Sequence, residues 1–350
     1  MKKITVGIDF AKEKFDMTVL NHVNGTSAHG VFKNSPSGAR DMVRMVKKFA
    51  QGVDSRQWLF CGEDTGYYSQ TVTRYLYEKG FFMWLQNAYS IKRSEGIIRR
   101  GKNDMADSRT IAEYAHRFED KAVEYKVPPK QLEELKMLLS QRDLYVSAKT
   151  KLQNSTSEIP GRKVQGETIS MLKSTNKRII RQIDEEIERL EQKMDEIVEE
   201  DRNIKENYDI LDSFKGIARI NALTFIVYTD NFQKFDLNPR KIATYWGVAP
   251  FNRVSGTSVH TSPHVSGFCN KKLKALITNA ATVAIQFNPI IKAYYHRLIE
   301  KGKKEEVAKN NVKNKIIHII TAMIRNKTKF NPEYIFTNNN CVKSVNSLAS

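Results

Sequence analysis

Cysteine is scarce in this chain of 350 residues. The three present, Cys61, Cys269 and Cys341, lie far apart, are odd in number and form no CxxC pair. That argues against a disulfide framework and for a reducing compartment. A zinc site is not expected either: His264 and Cys269 are close in sequence, but nothing supplies the other ligands. Long apolar runs are missing, so no membrane span is expected. The opening residues reach an acid at Asp9, too early for a secretory signal. These absences together point to a cytoplasmic protein of a prokaryotic cell. No internal repeat is legible.

What the chain has in excess is positive charge. Lys and Arg number 57 against 39 acids, a net charge of +18 and a pI near 9.6. Such a balance favours a polyanionic partner, through counterion release along a phosphate backbone. A merely soluble basic protein is the plainer alternative. Basic residues interleaved with aromatics and set beside acidic clusters favour nucleic acid over it. The length allows two or three domains, and 40% hydrophobic residues can fill their cores.

The pattern predicts strands over residues 3–9, 15–20 and 31–34, with a turn at Asn24-Gly25. A helix over 36–51 starts at Pro36 and Ser37 and carries an apolar stripe of Met42, Val43, Val46 and Phe49. Trp58 to Gly62 is a fourth strand ending at Glu63; a helix over 67–79 and a strand over 81–86 follow. Three strands, then helix–strand–helix–strand, is the order of an RNase H-like domain with a mixed sheet and helices on both faces. A helix over 104–121 precedes Pro128-Pro129, and a polar helix runs from Gln131 to Leu152. After a break at Ile159-Pro160-Gly161, Leu172, Ile179, Ile183, Ile187, Leu190, Met194 and Ile197 form a heptad stripe. It reads as a coiled-coil arm, intramolecular or dimerising. Leu211 to Ala222 reads as a helix–turn–helix hairpin with Gly216 at its turn, and helices continue through Phe225, Tyr245 and Trp246. A Ser-, Thr-, Gly- and His-rich loop is expected over 252–268, then basic helices over 270–285 and 305–325 and a frayed tail after Pro332. The expected fold is α/β plus α: a RuvC/RNase H-like domain (1–127), a helical coiled-coil arm (128–206), a mostly helical serine domain (207–335) and a flexible tail (336–350).

Four acids stand out. Asp9 and Glu63 close two apolar strands, where ends of neighbouring strands can converge. Asp104 and Asp107 are three apart on a helix and share a face. Four converging carboxylates repel unless a cation neutralises them, and oxygen-only ligands suit Mg2+ or Mn2+. Two such metals can activate a nucleophile and stabilise the leaving oxygen of a phosphodiester. Singly, each acid reads more readily as a turn or helix-cap residue. Gly7-Ile8-Asp9 with Asp64-Thr65-Gly66 also opens actin-type ATPase domains, but no second Gly-rich phosphate turn follows residue 130.

Gly7-Ile8-Asp9, Glu63-Asp64-Thr65-Gly66-Tyr67 and Lys102-Asn103-Asp104-Met105-Ala106-Asp107-Ser108 resemble the motifs of the DEDD transposases of the IS110 family, and with them the pilin-gene-inverting recombinases. Asn103 replaces the family's usual threonine. The resemblance continues through Lys215-Gly216-Ile217-Ala218, Ala243 to Pro250, Arg253-Val254-Ser255-Gly256-Thr257 and Val265 to Leu273, with Gly267 and Cys269 departing from the family's lysine and glycine. It implies a RuvC-like first domain whose Asp9, Glu63, Asp104 and Asp107 hold Mg2+ or Mn2+. It further implies a nucleophilic Ser255 that becomes joined to cut DNA, donor and target DNA chosen by a structured bridge RNA, and a dimer or tetramer.

The residues around Ser255 suit that chemistry. A hydroxyl needs a base or metal to take its proton, and cations beside it can hold a phosphate. Arg253, Lys271, Lys272 and Lys274, with Arg99, Arg100 and Lys102 beside the acids, are the expected nucleic-acid contacts. His260 and His264 are candidate proton carriers, and Ser266 is the alternative nucleophile. Ser/Thr/Gly richness alone marks an ordinary loop more readily than a nucleophile. Three other readings remain open: a RuvC-like junction-resolving nuclease using water, an ATP-dependent kinase, and a non-catalytic DNA-binding protein.

Overall fold

The computed structural model describes residues 2–94, 104–158, 166–255, 259–331, 334–336 and 342–344; the side chains of 104, 252–262, 334–336 and 342–344 lie outside that description. The chain divides into two compact units, Met1–Val127 and Pro128–Ser350.

In the first unit, β1 (Ile4–Phe10), β2 (Lys14–Asn21) and β3 (Thr26–Lys33) form an antiparallel meander. Helix α1 (Pro36–Phe49) then crosses to β4 (Trp58–Glu63), and α2 (Tyr67–Glu78) to β5 (Met83–Gln86). Ser35 caps α1 by accepting from the Gly38 amide at 3.2 Å, and the helix starts at Pro36 as expected. Both crossovers give parallel pairs, so the sheet order is β3-β2-β1-β4-β5. This is the mixed sheet expected from the sequence. Short α3 (Ala88–Arg93) follows, then α4 (Asp104–Arg117).

Alternation along β1 sorts the two faces. Ile4, Val6, Ile8 and Phe10 point one way and pack with Met42, Val43 and Val46 of α1 and Val72 and Leu76 of α2. Leu59, Cys61 and Trp84 face the other way and pack with Ile111, Tyr114 and Ala115 of α4. Gly7 lies directly beneath α4. A Cβ there would fall inside van der Waals contact with the Ser108 carbonyl and the Ala112 backbone.

In the second unit, α5 (Lys130–Glu158) and α6 (Gly166–Glu200) run antiparallel. Arg142 pairs with Glu191 at 2.6 Å, Lys149 with Asp184, and Asn176 donates to Thr156 at 2.9 Å. The apolar stripe is buried only near the root, at Met194 and Ile197, where it meets Leu132, Leu135 and Leu139; Leu172 remains 43% exposed. The expected break at 159–161 lies outside the described residues.

Helices α7 (Arg202–Asp212) and α8 (Arg219–Tyr228) form the hairpin, turning at Gly216 with φ +124°. A side chain there would press on Ala284 and the Ala280 carbonyl at 2.8 and 2.9 Å. Helix α9 (Pro239–Tyr245) leads to Trp246, which stacks on Phe225 at 4.3 Å in the main core. Residues 252–268, expected as a loop, instead contain an antiparallel hairpin of β6 (Pro250–Ser255) and β7 (Val259–Val265). Valines at 254, 259 and 265 supply β propensity that the Ser/Thr richness masks. Pro263 sits in the register shift between the Phe251 and Arg253 pairs, where a missing N–H is tolerated. Helices α10 (Lys271–Phe287), α11 (Pro289–Glu300) and α12 (Glu305–Asn326) complete the core. In the expected frayed tail, β8 (Tyr334–Phe336) and β9 (Val342–Ser344) pair; its remaining residues lie outside the description. Among the described residues no helix is long and apolar enough to cross a membrane.

Gly7→Ala tests the packing of α4 on β1. Overpacking costs about 1–3 kcal/mol, so the melting temperature of the first unit's transition should fall by several degrees. An unchanged transition would contradict the close backbone approach.

Candidate metal centre and serine hairpin

The parallel register of β1 and β4 ends at Ile8↔Gly62, so Asp9 and Glu63 occupy the next position on adjacent strands. Such strands lie about 4.8 Å apart, and neighbours in register share a face. That face is the one under α4, because Gly7, two residues before Asp9, is pressed against it. Helix α4 runs antiparallel to β1. Ser108 and Ala112 lie over Gly7, while His116 stacks on His22 at 3.6 Å beside Thr5, and Glu119 beyond it accepts the Lys2 amide at 2.7 Å. The N-terminal turn of α4, with Asp104 and Asp107, therefore lies toward the strand ends that carry Asp9 and Glu63. Asp9, Glu63 and Asp107 are all partly accessible. The Asp104 side chain lies outside the described residues.

Two polar locks fix the helix. Thr18 and Ser108 share a hydrogen bond of 2.7 Å between buried hydroxyls, and Gln86 donates to the Tyr114 hydroxyl at 2.8 Å. Asp16 and Thr18 are the polar alternates of β2. In the structure both are buried under α4, and Asp16 sits directly opposite Asp9 in the β1–β2 register. Like charges placed opposite each other destabilise a sheet. Here Asp16 is matched by His29 Nε2 at 3.1 Å and Lys14 Nζ at 3.4 Å. The length of the β1–β2 turn was the available signal, since it alone sets which residues face each other.

An all-oxygen donor set of this kind suits a hard divalent cation better than zinc. Among the described residues, no three such side chains already stand close enough to grip an ion. The backbone places Asp9 and Glu63 on adjacent strand ends, toward which the first turn of α4 runs.

On the second unit, Ser255↔Val259 is the last pair before the tip of the β6–β7 hairpin. The side chains of Ser255, Arg253 and His260 lie outside the described residues. His264 pairs with Phe251 near the root, roughly 16 Å of strand from the tip, so the structure does not bring it to Ser255. The Ser266 hydroxyl accepts the Phe268 amide at 3.0 Å in the turn before α10. Lys271 is exposed and Lys274 partly buried. Lys272 is already engaged: it pairs with Asp143 of α5 and lies 5.2 Å over the Tyr228 ring. Arg99, Arg100 and Lys102 lie outside the described residues.

Comparison with known proteins bears on both units. Residues 6–159 match the family model of the IS110 DEDD transposase, described as Transposase. Residues 208–296 match the model described as Transposase IS116/IS110/IS902 family. Together the two matches cover more than two thirds of the chain. The pilin gene-inverting protein of Moraxella bovis is 22% identical over 337 residues, covering 94% of this chain and 98% of that protein. Its counterpart in Moraxella lacunata matches to the same extent. An uncharacterized insertion element IS110 protein of Streptomyces coelicolor is 28% identical over 119 residues, 34% of this chain and 29% of its own.

The His22–His116 stack makes the seating of α4 sensitive to acid. Burial, and then the neighbouring His116, hold the His22 pKa below its usual 6.5, against an upward pull from Glu119. The folded state thus favours neutral His22 more than the unfolded state does. The stabilisation is complete above about pH 6.5 and is lost as pH falls below it toward the lowered value. Thermal unfolding between about pH 7.5 and about pH 5 should therefore show a steeper loss for wild type than for His22→Asn. Equal losses would contradict this role for the stack.

Proposed function

The chain belongs to the IS116/IS110/IS902 family of transposases and is a DNA recombinase, and we propose that it cuts and rejoins DNA with Ser255 as nucleophile beside a divalent ion held by Asp9, Glu63, Asp104 and Asp107. The observation that carries the reading is the shared position of Asp9 and Glu63 at adjacent strand ends, on the face toward which the N-terminal turn of α4 runs. A divalent ion there, Mg2+ or Mn2+, would offset the clustered carboxylates and supply positive charge to a phosphate. The RuvC-like reading of the first unit, with its mixed sheet, goes with the same chemistry.

The serine step follows from bond counting. The Ser255 oxygen attacks the scissile phosphorus, and a serine–phosphate ester forms as the bond to the sugar oxygen breaks. The serine proton passes to a base, and the departing sugar oxygen gains a proton. One phosphoester is exchanged for another, so a sugar hydroxyl of a second strand can displace Ser255 without an external energy source. Two placements support Ser255 over Ser266. Ser255 stands at the hairpin tip, whereas the Ser266 hydroxyl is committed to a turn. Arg253, two residues before Ser255, suits a phosphate partner.

We read residues 128–206 as the arm and 207–335 as the serine domain, with α5 and α6 exposing an apolar stripe suited to a coiled-coil contact in a dimer or tetramer. Donor and target DNA are the substrates in this reading, and a structured bridge RNA selects them. The pilin gene-inverting relatives extend the reading to inversion of a DNA segment.

Wild type incubated with Mg2+, its DNA and its RNA should yield a denaturant-resistant protein–DNA adduct. Ser255→Ala should lose adduct and recombination by on the order of 10³-fold or more while still binding nucleic acid. An adduct that survives this change and vanishes in Ser266→Ala would move the nucleophile. Free cut ends with no adduct would show a water-using nuclease instead. Asp104→Asn should abolish cleavage with the fold intact, and full recombination by that variant would overturn the metal assignment.

A further inference from the structure

The α10–α12 face of the second unit holds two lysines in a position that a free protein has reason to avoid. Lys274 of α10 and Lys313 of α12 are both partly buried. The Lys274 stem lies beside Gly247, 3.4 Å from where a side chain on that glycine would begin. One residue later, the Val248 carbonyl accepts from the Asn310 amide at 2.9 Å. Lys313 follows Asn310 by three residues and so lies on the same flank of α12. Lys274 therefore lies beside Gly247, and Lys313 lies on the α12 flank that meets Val248, close enough to Lys274 to feel its charge, just before β6 begins at Pro250.

Neither lysine has an acid partner among the described residues. The nearby Glu305 pairs with Lys309 at 2.5 Å. Burial, then Lys274, then Lys309 push the Lys313 pKa down. Two cations half out of water and close enough to repel cost free energy that an anion between them would recover. Lys272 makes the contrast: its charge is already met by Asp143 and a tyrosine ring.

We propose that Lys274 and Lys313, with Asn310 beside them, form a site for a backbone phosphate of nucleic acid at the root of the β6–β7 hairpin. The inference rests on the recombinase reading given above and adds a contact away from the bond that is cut. Five residue steps separate Pro250 from Ser255 along β6, roughly 16 Å. The gripped phosphate is therefore not the one that Ser255 attacks but a neighbour of it. The site orients the flanking strand and does no chemistry.

Lysine footprinting on the full-length wild-type protein tests this without relying on a variant. The protein is treated with an amine-acetylating reagent at low salt, alone, with a DNA duplex and with an RNA duplex, and each lysine is quantified by mass spectrometry. Lys274 and Lys313 should be modified in the free protein and protected several-fold by a bound duplex. Protection by DNA alone assigns the site to the recombining DNA, and protection by RNA alone assigns it to the guide. Both results support a phosphodiester site. If a duplex binds, as shown by gel shift, and neither lysine is protected, the proposal falls while the recombinase reading stands. If no duplex binds at all, both fail. Equal protection by polyglutamate would overturn the assignment to nucleic acid. In parallel, Lys274→Gln and Lys313→Gln should each reduce the salt slope of DNA binding by about 0.9. Unchanged slopes would contradict phosphate contact.

Discussion

The acid-bearing unit depends on one close approach, that of the α4 backbone to β1 at Gly7. With no side chain on Gly7, the Ser108 carbonyl and the Ala112 backbone settle directly on the strand. That contact sets both the height and the direction of α4. The helix starts near the strand ends that carry Asp9 and Glu63, and it finishes over Thr5 and Lys2. The Thr18–Ser108 and Gln86–Tyr114 hydrogen bonds hold the same seating from two other strands. A larger residue at position 7 would lift the helix, and the acids at its start would lose their place.

Charge explains why this seating serves chemistry as well as stability. Asp9 faces Asp16 across the hairpin and neighbours Glu63 across the parallel pair. Such crowding opposes folding unless cations answer it. His29 and Lys14 answer Asp16. A divalent ion at the site proposed above would offset the crowding further. The second unit follows the opposite rule, with cations short of anions at Lys274 and Lys313. A local crowding of carboxylates in the first unit and a local pair of ammonium groups in the second suit the metal and phosphate contacts proposed above.

Much of this was legible in the sequence, and the reasons are specific. The β1 run and the turn at Asn24-Gly25 carry period-2 and turn chemistry strong enough to give the meander, and the helix–strand alternation after it gave the mixed sheet. Gly216 marked the α7–α8 turn because only its conformation and lack of a side chain fit beneath Ala284. The β6–β7 hairpin was missed because Ser, Thr and Pro suggest a loop while valines at 254, 259 and 265 build strands. Helix α11 also escaped notice, hidden between two more basic helices. Asp16 was missed because burial under a distant helix leaves no local pattern. The Lys272–Asp143 pair was not legible, since nothing in the sequence links α10 to α5 at those positions.

Anomalous diffraction from crystals grown with Mn2+ tests the acid centre most directly. The account predicts a strong peak at the ends of β1 and β4, coordinated by carboxylate oxygens of Asp9, Glu63, Asp104 and Asp107. Those side chains splayed apart with no peak among them, at Mn2+ concentrations that support DNA cleavage, would contradict it.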